Sequence, residues 1–238
     1  MALLNRVRRR RRQPEIMDQL DMDGPRHLDA LRGLERINTW SGSARILWPL
    51  LRALAASTAG KAPRVLDVAT GAGDVPIRLW HKAKRAGFDF HIEGCDRSDS
   101  AVAYARHRAA VQRADVHFFN CDALTGDLPE GYDAVISSLF LHHLDETMAV
   151  ELLRRMAHAA DRLVLVNDLV RGLPGLLLAY VGTRLLSRSE IVRIDGVRSV
   201  EGAFTVAEAR RLAEQADLQG ATVSRRWPCR FLLAWSRA

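Results

Sequence analysis

The segment Arg64-Val-Leu-Asp-Val-Ala-Thr-Gly-Ala-Gly-Asp-Val-Pro76 constrains the fold more than any other part of the chain. An apolar run ends in an acid, passes a glycine-spaced turn and opens into an amphipathic stretch. That pattern predicts a buried parallel strand, with Gly71 and Gly73 letting backbone amides approach a ligand at the N-terminus of the next helix. A dinucleotide fingerprint would carry Gly or Ala at its third glycine position, whereas this chain has Pro76 there and Asp74 two residues earlier. Asp67 and Asp74 would repel a pyrophosphate, so the turn selects a ligand with positive charge and hydroxyl donors.

Three further segments each bring a polar group to the end of a strand-like run. Phe90 to Asp96 ends in an acid 23 residues after Gly73, the place where nucleotide-binding folds hold a ribose diol between carboxylate oxygens. Val116 to Ala123 contains Asp122 near its end. Tyr132 to Phe140 reads as a fourth buried strand that delivers Leu141-His-His-Leu144 to the edge where open α/β sheets bind ligands.

In these segments the sequence resembles the class I S-adenosylmethionine-dependent methyltransferases, in particular the quinone- and polyketide-tailoring branch that acts on small molecules. The resemblance covers roughly residues 60 to 236, with Ala69 standing where the family more often has its first glycine. It implies an α/β, Rossmann-like, doubly wound and mostly parallel seven-stranded sheet with helices on both faces. It also implies that S-adenosylmethionine is held by Asp67, Ala69, Gly71 and Gly73, by Asp96 and Arg97 at the ribose, by Asp122 and Ala123 at the adenine, and by Ser138. The implied activity is methyl transfer to the hydroxyl of an aromatic or polyketide acceptor. A quinone-ring carbon is the alternative, followed by RNA methylation and noncatalytic cofactor binding.

The rest of the chain fits around that core. Residues 1–24 form a basic tail expected to be disordered, and residues 25–59 are expected to supply lid helices. In the latter, Leu28, Leu31, Leu34 and Ile37 share one helical face, and Ser43 reads as the N-cap of a second helix striped by Ile46, Leu47, Leu50, Leu51 and Leu54. Trp40, between the two, is a candidate substrate contact. Residues 60–238 form the core, in which strand and helix keep alternating through Arg162 to Asp168. A capping-box pattern follows at Thr205 to Glu208, and then a terminal strand pair at 221–225 and 230–235. Residues 172–202 look like an inserted helix and loop whose apolar part, Gly172 to Leu186, can enclose an aromatic or lipidic acceptor.

Charge and cysteine content exclude other classes. Six arginines between Arg6 and Arg12 account for six of the seven net positive charges, so the remainder is nearly neutral and lacks the spread basic face of a nucleic-acid enzyme. The tail is read as a solvated leader, with contact to RNA or an anionic membrane surface as the sharper alternative. Three cysteines without a Cys-x-x-Cys pair point to a reducing cytoplasm. The 15-residue stretch from Gly172 to Leu186 contains Arg184 and is too short for a membrane span.

For chemistry, His143 is the candidate base for an acidic acceptor, and His142 the neighbour that points elsewhere. Asp168 and Arg171, just beyond the fifth strand, are candidate acceptor-orienting residues, together with His142 and Trp40. The other histidines are scattered, so no metal is expected.

Overall fold

The computed structural model describes residues 6–16, 42–58, 60–187 and 189–237. The Leu28 to Ile37 helix and Trp40 lie outside them. Seven strands form one sheet: β1 (Arg64–Val68), β2 (His91–Asp96), β3 (Val116–Asn120), β4 (Tyr132–Ser138), β5 (Ala160–Leu169), β6 (Thr222–Arg226) and β7 (Arg230–Ser236). Their spatial order is β3-β2-β1-β4-β5-β7-β6. The first five run parallel and β7 is antiparallel to both its neighbours. The carboxyl ends of β1 to β5 therefore share one edge.

Alternation along the strands builds two cores. Leu66, Val68, Val135, Val164, Val166, Phe231 and Leu233 face one side. There they meet α4 (Glu146–Ala159) and α7 (Val206–Gln215) through Leu152, Leu153, Met156 and Leu212. Val65, Ala134, Ile136, Leu163, Leu165 and Leu232 face the other side, covered by α1 (Ser43–Ala56), α2 (Asp74–Arg85) and α3 (Asp99–Val111). Period-two alternation of this kind is what burial on both faces of a parallel sheet demands.

Local signals set the helix starts. Ser98 caps α3 by accepting from the Ala101 amide, and Asp145 caps α4 by accepting from Met148. Thr205 and Glu208 close the expected capping box on α7. At α1 the expectation fails. Gly42 occupies the cap position in a left-handed conformation, and Ser43 lies inside the helix with its hydroxyl turned to other polar groups. Helix α1, expected to belong to the lid, buries Ile46, Leu47, Leu51 and Leu54 in the core.

Two more segments differ from expectation. The insert at 172–202 is a helical hairpin, α5 (Leu173–Leu186) and α6 (Glu190–Gly202), and α5 turns much of its apolar surface outward. Residues 6–16, expected to be a solvated leader, pack along α6 and the end of β4. Arg10 donates to the carbonyls of Gly202 (2.6 Å), His142 (3.1 Å) and Leu144 (2.5 Å), and its guanidinium lies 3.7 Å from the Phe204 ring centroid. The cause is a supply of unpaired carbonyls where a 3-10 turn and α6 both end, which a planar donor fork satisfies together.

Candidate functional site

The first half of the site is the acid-lined turn after β1. Ala69 (φ +55°), Gly71 (φ +54°) and Gly73 (φ +72°) all adopt left-handed backbone, and Gly73 caps α2. Close packing explains the glycine at 73, because a Cβ there would come within 2.7 Å of the Phe118 ring. A Cβ on Gly94 of β2 would likewise come within 2.8 Å of that ring, so Phe118 forms the floor of the loop. Asp96 organises the rim by accepting from the amides of Gly71 (2.8 Å) and Ser98 (3.0 Å), and the helix cap is Ser98 itself. Asp122 accepts from the Leu124 amide at 2.9 Å, which holds its carboxyl below the usual range. Ala123 is buried beside it and Arg97 is exposed.

Asp67 is the electrostatic centre of this half. It is buried; Oδ2 accepts from Thr70 Oγ1 at 2.7 Å, while Oδ1 has no hydrogen-bond partner among the described residues. Burial, reinforced by the charges of Asp96 and Asp74, pushes its carboxyl up to about 7 against the pull of Thr70. An orphaned carboxyl oxygen with Asp96 nearby fits a cationic ligand and disfavours a phosphate. Asp74 plays a different part from the one expected of it. It forms a buried ion pair with Arg108 of α3 at 2.5 Å, and Arg108 also donates to the Ala72 carbonyl at 3.0 Å, which braces the turn from behind.

The second half lies at the ends of β4 and β5. After Ser138 the chain passes Leu139 in left-handed backbone (φ +59°) and enters the 3-10 turn Leu141–His143. His142 is buried: Nδ1 lies 2.7 Å from Asp168 Oδ1, its amide donates to Asp168 Oδ2 at 3.0 Å, and Nε2 lies 3.5 Å from Glu15 Oε1. Burial opposes charge on this imidazole, but Asp168 and Glu15 overcome it and raise the pKa to about 10. Glu15 is held below its ordinary value in spite of burial, through His142, His143 and Ser199. The His143 side chain is 22% exposed, stacks on Phe140 and places Nε2 3.9 Å from Glu15 Oε1.

Three of the residues expected to meet substrate are instead committed to structure. Asp168 is consumed by His142 and by the Leu169 amide at 2.6 Å. His142 is enclosed between two carboxylates. Arg171 grips Glu208 with two bonds of 2.8 and 2.6 Å and also donates to the carbonyls of Ala203 and Val7. Those contacts use the guanidinium fork for positioning.

The structure adds residues that sequence reasoning missed. Glu15 reaches His142 and His143 from the N-terminal segment, and donor atoms of the three lie within 4.8 Å of one another, a set of the kind that holds metal ions. A histidine pair beside a remote glutamate leaves no spacing signal. On the opposite face of β5, the side-chain amide of Asn167 donates to Ser43 Oγ (3.1 Å) and Ser138 Oγ (3.4 Å), and Arg230 Nη1 donates to Ser43 Oγ at 3.3 Å. Asn167 Oδ1 and Arg230 Nε are buried without hydrogen-bond partners among the described residues.

A parallel sheet with an antiparallel β7 between β5 and β6, and an acid-lined glycine turn at its carboxyl edge, define the class I S-adenosylmethionine-dependent methyltransferase fold. Residues 65–161 match the family described as Methyltransferase domain, and the fold and cofactor turn built around that segment are of the S-adenosylmethionine-dependent methyltransferase kind. A demethylmenaquinone methyltransferase of Thermus thermophilus is 36% identical over 110 residues, 45% of this chain and 48% of that protein. One of Deinococcus radiodurans is 34% identical over 119 residues, 49% and 48% respectively. The chain thus spans about half the length of these curated relatives. Magnesium protoporphyrin IX methyltransferase of Synechocystis with bound SAH shares the fold (TM-score 0.55, 18% identity, 93% of this chain and 91% of that one). So does the plantazolicin methyltransferase in complex with a desmethyl analog and SAH (0.63, 12%, 87% and 89%).

Proposed function

We propose that this chain transfers the methyl group of S-adenosylmethionine to the hydroxyl of an aromatic small molecule, with His143 as the base. When bound, the cofactor supplies an electrophilic methyl group on a sulfonium sulfur. Asp67 accepts its cationic end through the open carboxyl oxygen, and the Gly71 turn, Asp96, Asp122, Ala123 and Ser138 frame the remainder. Arg97, exposed at the rim, lies beside Asp122 and offsets its charge.

On the acceptor side His143 takes the hydroxyl proton, and Glu15 stabilises the imidazolium that results. His142 cannot share this task, because its proton is held by two carboxylates. It fixes the turn that carries its neighbour. Asn167 and Arg230, on the same sheet edge, offer an open acceptor and an open donor for orienting the acceptor's oxygen. The observation that carries the reading is the half-buried His143–Glu15 pair on the edge shared with the acid-lined turn. The N-terminal arginines that bond to carbonyls at the end of β4 favour a small acceptor over RNA.

A second reading, methylation of a quinol ring carbon, is favoured by the names of the two curated relatives. It uses the same proton removal, since a phenolate is nucleophilic at oxygen and at the adjacent carbon. The protein is incubated with methyl-labelled S-adenosylmethionine and a panel of phenols, alkylresorcinols, quinols and RNA, and nuclear magnetic resonance places the methyl group on oxygen or carbon. Replacing His143 by Ala is expected to lower kcat about 100-fold or more while the affinity for S-adenosylhomocysteine holds. Undiminished turnover in that variant removes the base, and cofactor binding without methylation of any phenol or quinol removes the reading.

A further inference from the structure

Helix α5 is apolar on its outside. Leu177, Leu178, Tyr180, Val181 and Leu185 are each 44% to 79% exposed. The helix begins against the turn between β6 and β7, where a Cβ on Gly175 would lie 3.5 Å from Cys229 Cβ. Trp227 projects from that turn, 76% exposed. Large contiguous apolar surface of this kind marks an interaction site, and tryptophan and tyrosine favour the boundary between an apolar phase and water.

The fringe of this patch is cationic. Arg184 stacks over Tyr180 with its guanidinium 3.5 Å from the ring centroid, and Arg225 and Arg226 immediately precede Trp227 in exposed positions. Residues 6–16, with Arg8 and Arg9 exposed, pack along the neighbouring α6. Two of the three acids of α6 are turned inward, since Asp195 accepts from the Ile16 amide and Glu201 pairs with Arg6, which leaves Glu190 as the exposed acid of that helix. A second copy seated on the patch would set arginine against arginine, since an isologous interface repeats its own charges. An anionic lipid surface meets both requirements, apolar depth for the leucines and phosphates for the guanidinium groups.

We propose that α5 and the β6–β7 turn dock this protein on anionic phospholipid, with α5 lying in the plane of the headgroups. At 14 residues the helix is too short to cross a bilayer, and no helix among the described residues is long and apolar enough to do so. The inference is independent of the methyl-transfer reading, because none of these side chains has a role in it.

The test is sedimentation of the full chain with vesicles of phosphatidylcholine, with and without phosphatidylglycerol. Expected is binding to the anionic vesicles that falls as salt is raised. Combining Leu178→Glu with Val181→Glu weakens it by about tenfold or more, and each of Arg225→Gln and Arg226→Gln weakens it by about fivefold. All these positions are exposed, so the melting temperature and the affinity for S-adenosylhomocysteine stay at wild-type values, which separates lost docking from lost folding. Absence of sedimentation with phosphatidylglycerol, or binding indifferent to the glutamates, overturns the proposal. So does a dimer seen by light scattering that the glutamates dissolve while vesicles remain unbound, because the occupant is then a second copy.

Discussion

Replacing Asp168 by Asn should destabilise the fold and flatten its response to alkaline pH. Asp168 is buried and holds His142 twice, through Nδ1 at 2.7 Å and through the amide at 3.0 Å. Burial works against charge on His142, yet Asp168 and then Glu15 carry its pKa from 6.5 to about 10. A separation of about 3.5 pH units is worth about 5 kcal/mol, an upper bound shared by the two carboxylates. Asn preserves the shape and one accepting oxygen but not the charge, and Glu15 remains. The expected loss is therefore about 3 kcal/mol, at the low end for a broken buried pair. The folded protein retains a proton that the unfolded chain gives up above 6.5. This contribution is thus complete below 6.5 and is lost as pH rises through about 10. Between about pH 6 and about pH 9 the wild type should lose about 3 kcal/mol from this source, and the variant clearly less. Urea denaturation at the two pH values reads both quantities. A variant within about 0.5 kcal/mol of wild type at both would show that His142 carries no buried charge and that the reasoning about the turn is wrong.

Asp67→Asn should stabilise the ligand-free protein while weakening cofactor binding. Burial raises the Asp67 carboxyl to about 7, so the folded state favours its protonated form and stability falls as pH rises from 3.8 through about 7. Above that range the substitution should gain about 2 kcal/mol, after allowance for the new amide's unpaired N–H, seen as a higher melting temperature; calorimetry should show weaker S-adenosylhomocysteine binding. Ala69→Gly should gain about 0.5–1 kcal/mol, because Ala69 holds φ at +55° where a Cβ is unfavourable and glycine gives back part of the benefit through a freer unfolded chain. A lower urea midpoint for this variant would mean that the turn does not adopt the left-handed backbone.

The proposed cofactor half of the site is legible in the sequence because its parts are local. Asp67, Gly71 and Gly73 belong to one strand, turn and helix, and Asp96 and Asp122 follow the next two strands, so alternation and glycine spacing locate them without tertiary knowledge. The departure at Ala69 was visible as well, and the structure gives its cost in backbone strain. What escaped was pairing across the fold. Asp74 looked like part of the ligand field until Arg108 on α3 was seen to neutralise it. Asp168 and Arg171 lie at the strand end where ligand contacts are expected, but a charged residue there serves equally well as a brace, and only their partners His142 and Glu208 decide. Strands β1 to β5 fall within a few residues of the predicted runs, whereas the helical hairpin at 173–202 carries its apolar residues outward, against the periodicity of a buried helix.

The proposed acceptor half depends on chain segments far apart in sequence, and on that proposal the arginine-rich N-terminus is part of the site. Arg10 ties the carbonyls of His142 and Leu144 to that of Gly202, and Arg12 donates to the His143 carbonyl at 3.1 Å, so the 3-10 turn is anchored at its end by the same segment that brings Glu15 to the histidines. Desolvation on packing against Phe204 and the charge of Arg171 lower the Arg10 pKa, a cost that a solvated tail would not incur and that the three carbonyls offset. Six positive charges that read as a nucleic-acid or solubility feature in the linear sequence are, in space, partly donors for a turn with unpaired carbonyls. The position of His143 is therefore set from two directions, by Asp168 beneath the turn and by residues 6–16 above it.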